Sequence, residues 1–164
     1  MPVSHDASLE VLQEKIADLR FCMFTSIADD GTLVSQPMTN QELDDDGCLW
    51  FFSSCETDLT ANILARPQVN ISFSQPDDQL YVSISGHAAQ VLDRDIMREL
   101  WNPMVEAWFP RGVDDPDLEL IRVQIDAAEF WDSNSSKMVR LFKMARAALS
   151  GTPPDMGEHQ TLRM

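Results

Sequence analysis

Apolar residues recur along this chain first at helical and then at strand spacing. Leu9, Leu12, Ile16 and Leu19 step by three, four and three, which predicts an amphipathic helix of about twelve residues, capped at Ser8 and packed on the rest of the protein as a lid. The period then shortens. Residues 21–28 read as a strand, Asp29-Asp30-Gly31 as a hairpin turn and residues 32–41 as its partner. Pro37 in that partner cannot donate to a ladder, so the strand lies at an edge or opens there to face a ligand. Asp44-Asp45-Asp46-Gly47 makes the next turn and leads into the aromatic run Leu49-Trp50-Phe51-Phe52-Ser53-Ser54.

A hydroxyl-bearing turn through Cys55-Glu56-Thr57-Asp58 then starts a short helix that Pro67 stops. Residues 69–75 and 80–91 read as strands joined by the turn Gln75-Pro76-Asp77-Asp78, with a bulge at Gly86. Asp93 caps a second helical region whose apolar face is Ile96, Met97, Leu100, Trp101, Met104, Val105 and Trp108. After a loop over residues 109–116, residues 118–125 and 129–132 give the last extended segment. A closing helix over 136–150 is ended by Gly151, and 152–164 is expected to be a loosely held tail beyond a single domain of residues 1–151. Short antiparallel strands with helices at the margins predict a mainly β (α+β) chain, a small Greek-key barrel rather than a parallel sheet.

Composition narrows the function classes. At 164 residues and 44% hydrophobic the chain is long enough for one real core. With 27 acidic against 12 basic side chains its formal net charge is -15, which repels nucleic acid and anionic lipid and argues against either as partner. No apolar run approaches the roughly 20 residues of a membrane span, and the start lacks the basic region and apolar core of a secretory signal, so a cytoplasmic protein is expected. Cys22, Cys48 and Cys55 are odd in number and share no ligand spacing, which argues against a disulfide framework or a zinc site. Cys55 stands at a helix start, where a thiol pKa can be lowered. His87 has no second histidine or carboxylate at ligand spacing, and no glycine-framed serine elbow or Cys-His pair supports hydrolase chemistry.

Backbone N–H groups at the start of the helix after Thr57, with the hydroxyls of Ser53, Ser54 and Thr57, form a place to hold a phosphate. Trp50, Phe51 and Phe52 alternate across their strand, so most of them belong to packing, and a ligand wall needs only one. Lys137, Arg140, Lys143 and Arg146 step by three and hold four of the twelve cations. They are either a basic solvated face or a reach toward that phosphate.

Several runs in order resemble one family: Ser35-Gln36-Pro37-Met38-Thr39, the aromatic run to Ser54, Arg66-Pro67-Gln68-Val69-Asn70-Ile71-Ser72-Phe73, Ile84-Ser85-Gly86-His87-Ala88, Trp108-Phe109-Pro110-Arg111-Gly112 before Asp115-Pro116, and Ala128-Glu129-Phe130-Trp131-Asp132. Together they look like the general stress protein branch of the pyridoxamine 5'-phosphate oxidase-like, FMN-binding split barrels. The resemblance implies a homodimer of six-stranded antiparallel split barrels with one FMN in each of two interface clefts. The ring would lie along Gln36, Pro37, Met38 and Thr39 and along Trp50, Phe51, Phe52 and Ser53. The phosphate would lie near Ser53, Ser54, Thr57, Asp58 and Leu59, with Trp108 and Trp131 approaching the ring. Relatives often carry arginine where Gln36 stands and lysine where Leu59 stands. Losing two charge-assisted contacts costs roughly 3 to 6 kcal/mol, so weak FMN binding is expected. The activity implied is flavin-dependent oxidoreduction of a small molecule that the sequence does not identify. The alternatives are a split-barrel dimer that has lost tight flavin binding and serves as a ligand-binding or interaction module, and a related enzyme using another phosphorylated or flavin-like cofactor such as pyridoxal phosphate.

Overall fold

The computed structural model describes residues 5–132 and 158–163. Its elements are α1 (His5–Ile16), β1 (Phe21–Ile27), β2 (Leu33–Thr39), β3 (Glu42–Leu43), β4 (Cys48–Ser54), α2 (Asp58–Ala65), β5 (Gln68–Gln75), β6 (Leu80–Val91), α3 (Arg94–Leu100), α4 (Pro103–Trp108), β7 (Leu118–Asp132) and β8 (Glu158–Arg163). The expected closing helix over 136–150, its Gly151 stop and the four cations from Lys137 to Arg146 lie outside the described residues.

The strands form one antiparallel sheet in the order β2-β1-β5-β6-β7-β4-β3, with β8 added against β7. This corrects the six-stranded barrel expected from the sequence. Among the described residues the sheet has eight strands, and neither β2 nor β3 pairs across to close it. The sheet curls all the same. Phe24 on β1 and Phe51 on β4, with three strands between them in the order, meet edge to face with ring centroids 5.2 Å apart. One core therefore gathers Phe24, Leu49, Phe51, Ile71, Phe73, Ile84, Ile121 and Phe130 from alternate positions of their strands.

The remaining differences have local causes. Ser8 is not a cap, because the helix begins at His5 and Ser8 falls on its buried stripe, one turn before Leu12 and two before Ile16. Gln13 ties that helix to the acidic turn through the carbonyls of Leu43 and Asp44. The helical region after Asp93 is two helices, since Pro103 forces the residue before it out of helical geometry and Asn102 restarts the chain by accepting from the N–H groups of Met104 and Val105. The two extended pieces after residue 118 join into one strand of 15 residues. Glu158–Arg163, expected in a loose tail, instead pairs with β7 from Ala127 to Asp132.

Pro37 stands on the edge strand β2, where its missing N–H costs little. Gly86 stands at a register shift between β6 and β7. A Cβ there would lie 2.2 Å from the Gln124 carbonyl oxygen, so only glycine lets the two backbones approach this closely.

Candidate functional site

At the open edge of the sheet an apolar cleft of about 250 Å3 lies between β2, β4 and α4. Pro37, Met38 and Thr39 form one side, Phe52 the floor, and Met104, Val105, Trp108 and Phe109 the side supplied by α4 and its exit; Phe21 and Gln41 complete the lining. Alternation on β4 produces this surface. Leu49 and Phe51 face the main core, whereas Cys48, Trp50 and Phe52 face a second cluster with Met97, Val105, Leu118 and Leu120. Trp101 packs edge to face on Phe52 at 5.6 Å, and Phe109 lies tilted against it at 6.4 Å, so the floor of the cleft is held by two further rings. Gln41 fixes the wall: its N–H donates to the Trp50 carbonyl, and its side-chain oxygen accepts from Asn102, the cap of α4.

The structure brings together five of the residues expected at the site, Pro37, Met38, Thr39, Phe52 and Trp108. The others lie elsewhere. Gln36 is exposed on β2 beside the Met38 sulfur. Trp50 packs in the second cluster, and its indole N–H donates to Asp44 at 2.8 Å. Phe51 and Leu59 are both core residues, Leu59 only 2% exposed, so neither side chain lines the cleft. Trp131 lies opposite Tyr81 on the outer face of the sheet. Ser53 and Ser54 end β4, next along the strand from the cleft floor, and Thr57 and Asp58 cap and start α2 after the turn. Five further lining residues, Phe21, Gln41, Met104, Val105 and Phe109, were not expected at the site; only Met104 and Val105 carry a signal in the sequence, as part of the apolar face of the helical region after Asp93.

The turn into α2 is organised by its own hydrogen bonds. The Thr57 hydroxyl accepts from the Thr60 N–H at 3.2 Å and donates to the Ser54 carbonyl at 3.1 Å. Thr60 in turn meets the Glu119 carboxylate, which also accepts from the Gln90 amide at 2.6 Å. Glu119 is fully buried. A helix start can lower a thiol pKa, but at Cys55 burial and then the nearby Glu119 carboxylate raise it, which agrees with a plain turn residue rather than a reactive thiol. Cys22 is pushed up to about 12 by burial. His87 does find a carboxylate, Asp126, at 2.5 Å, which the sequence reading had not paired with it. Among the described residues no group of three His, Cys, Asp or Glu side chains forms a metal site, and no helix is long and apolar enough to cross a membrane.

An antiparallel sheet curled round one core, with helices at its margins and an apolar cleft at its open edge, is consistent with a split barrel. Family comparison makes this specific: the chain belongs to the Pyridoxamine 5'-phosphate oxidase like family, whose model matches residues 7–155. Among solved structures it is similar to a candidate general stress protein 26 from Jannaschia sp. CCS1, at 30% identity and a TM-score of 0.75 over 92% of this chain and 94% of that one. It is also similar to a general stress FMN/FAD binding protein from Xanthomonas citri, at 34% identity and a TM-score of 0.67 over 78% of this chain and 90% of that one. Protein bli-3 of Neurospora crassa is 29% identical over 159 residues, 87% of this chain and 76% of the relative.

Proposed function

We propose that the chain is a flavin-binding protein of the general stress type, an FMN-dependent oxidoreductase acting on a small molecule, with weak affinity for FMN. The observation that carries this reading is the cleft, which joins Pro37, Met38 and Thr39 of β2 to Phe52 and Trp108 as walls for a flat aromatic ring. The Xanthomonas citri relative, described as binding FMN or FAD, supports it. When bound, the flavin ring supplies the electron transfer; the chain supplies apolar walls, orientation and exclusion of water.

The ring fits the residues present, but the phosphate does not. Gln36 stands where a cation is expected, Leu59 is buried, and the Thr57 hydroxyl is engaged in capping α2. Those three facts favour a second reading, a split-barrel dimer with weakened flavin binding that serves as a ligand-binding or interaction module. Recording the visible absorption of the purified chain before and after adding FMN separates the two. The first reading expects the bands of bound flavin to develop on titration, whereas no spectral change at millimolar FMN leaves only the second.

The functional unit is a homodimer. A cleft of about 250 Å3 is smaller than the roughly 300–1,000 Å3 of ligand sites, so a second copy is needed to complete its walls. Trp108 is 72% exposed at the cleft and Phe21 is exposed in its lining, and Met23, Tyr81 and Trp131 are exposed elsewhere on the strands, apolar surface of the kind that association covers. Sedimentation at micromolar concentration should give a dimer; a monomer would overturn this assembly.

A further inference from the structure

A second cavity, of about 170 Å3, lies where the end of α1 and the link into β1 meet the segment that runs from β2 into β3. It is polar where the ring cleft is apolar: Gln13, Arg20, Asn40, Gln41 and Glu42 line it, and Ile16, Leu19 and Leu43 supply the apolar part of its wall. Gln41 lines the ring cleft as well and separates the two, its side chain held by Asn102 and by its own N–H group on the Thr39 carbonyl at 3.2 Å. Three of the lining residues keep groups that the fold does not use. The side-chain oxygen of Asn40 is buried and accepts no hydrogen bond, a condition that costs stability until a donor arrives. The Asn40 backbone N–H is bonded to the Arg20 carbonyl at 2.8 Å, so the residue is held in place while its amide oxygen is left over. Arg20 and Glu42, both exposed, bring opposite charges to the same cavity, yet among the described residues neither is in an ion pair.

A buried acceptor needs a donor, and the cavity that Asn40 lines is the way in for one. Water answers Asn40 alone. A guanidinium and a carboxylate that line one cavity without meeting each other match a ligand that carries both signs, the guanidinium fork taking a carboxylate and Glu42 with the Asn40 oxygen taking an ammonium. Gln13 adds no competing donor, since its amide N–H group turns to the carbonyls of Leu43 and Asp44. A cavity of roughly 150 Å3 admits benzene, so the ligand that fits here has about six heavy atoms. We propose that this cavity binds a small aliphatic amino acid in its zwitterionic form, with Arg20 on the carboxylate and Asn40 and Glu42 on the ammonium, at a site separate from the flavin cleft and independent of the flavin reading.

The test titrates the full chain, without flavin, with L-alanine, with propionate and with isopropylamine, following binding by saturation-transfer NMR and calorimetry in wild type, Arg20→Gln and Asn40→Leu. L-Alanine should bind with a Kd of about 1 mM, and each analogue that lacks one of the two charged groups at least about tenfold more weakly. Arg20→Gln removes a charge at an exposed position, so it should weaken L-alanine by about tenfold and leave the urea midpoint where it is. Asn40→Leu removes the unpartnered oxygen at similar shape, so it should weaken L-alanine by about threefold or more while raising the urea midpoint by about 0.5 M, the opposite of what a structural asparagine would do. No binding of L-alanine at about 20 mM overturns the site. Propionate or isopropylamine binding as tightly as L-alanine overturns the zwitterion. An unchanged affinity in Arg20→Gln overturns the carboxylate contact, and a lowered urea midpoint in Asn40→Leu shows that the amide serves the fold and overturns its place in the site. The visible titration with FMN is read separately, and none of these outcomes bears on it.

Discussion

The two ends of the candidate site are built on opposite principles. At the ring end, side chains from β2, β4 and α4 converge on an apolar cleft and leave Trp108 exposed. At the turn into α2, the polar groups converge on one another: Thr57 on Ser54, Thr60 and Gln90 on Glu119. The first arrangement leaves surface for a ligand, whereas the second satisfies its own donors and keeps a buried negative charge. A hydroxyl-rich helix start thus acts here as a structural cap, because its hydrogen bonds are completed within the chain before any ligand arrives.

The sharpest way to break this contrast is to remove the residue that belongs to both the cleft and the packing beneath it. Phe52→Ala deletes the cleft floor and the contacts with Trp101 and Phe109, and a buried phenylalanine truncated to alanine costs about 3 to 5 kcal/mol. Urea melts should show a loss of that size. A loss below about 1 kcal/mol would mean that the second cluster contributes little and that the cleft floor is held by other contacts.

At the other end, Thr57→Ala removes the cap of α2 and the bond to Ser54, for an expected loss of about 1 to 2 kcal/mol in the same melts. If the residue served chiefly to hold a ligand, the melt would be nearly unchanged and FMN binding would suffer instead. Trp108→Ala sharpens the comparison from the ring side. Being 72% exposed, Trp108 should leave stability within about 0.5 kcal/mol, while affinity for riboflavin and FMN falls together by about tenfold. A loss confined to FMN in the binding titrations would place Trp108 at the phosphate rather than the ring.

Legibility in the sequence followed the range of the interactions. Asp93 as a cap, the residue 80–91 strand, the Gly86 bulge and Pro37 on an edge strand all follow from local rules, and the structure agrees with each. The split of the helical region at Pro103 was equally local, yet the apolar face of Ile96 to Trp108 ran across it and concealed the break. What stayed hidden depends on register between distant strands. Nothing near Glu119 announces that β7 will set it opposite Ser53, or that Gln90 will reach it from β6. The raised thiol of Cys55 is hidden for the same reason: the helix start that could lower it lies close in sequence, and the carboxylate that raises it lies far along the chain.

Cys55 can report on that carboxylate, though the effect is the smallest of those considered. Burial first and Glu119 second raise its thiol pKa, so at pH 8 it should alkylate more slowly than an unperturbed cysteine, with peptide mass spectrometry resolving it from Cys22 and Cys48. The sign for stability follows from the same shift. Below the ordinary thiol pKa both folded and unfolded chains keep the proton and nothing changes; between the ordinary and the raised value only the unfolded chain releases it, so stability falls as pH rises through that window. Cys22, pushed up to about 12, should stay unlabelled in the folded chain and serves as the internal standard. In Glu119→Gln the carboxylate is gone while the burial remains, so Cys55 should alkylate faster and Cys22 should not change. A Cys55 rate identical in wild type and variant would mean that burial, with the lesser contribution of Asp117, sets the thiol without Glu119.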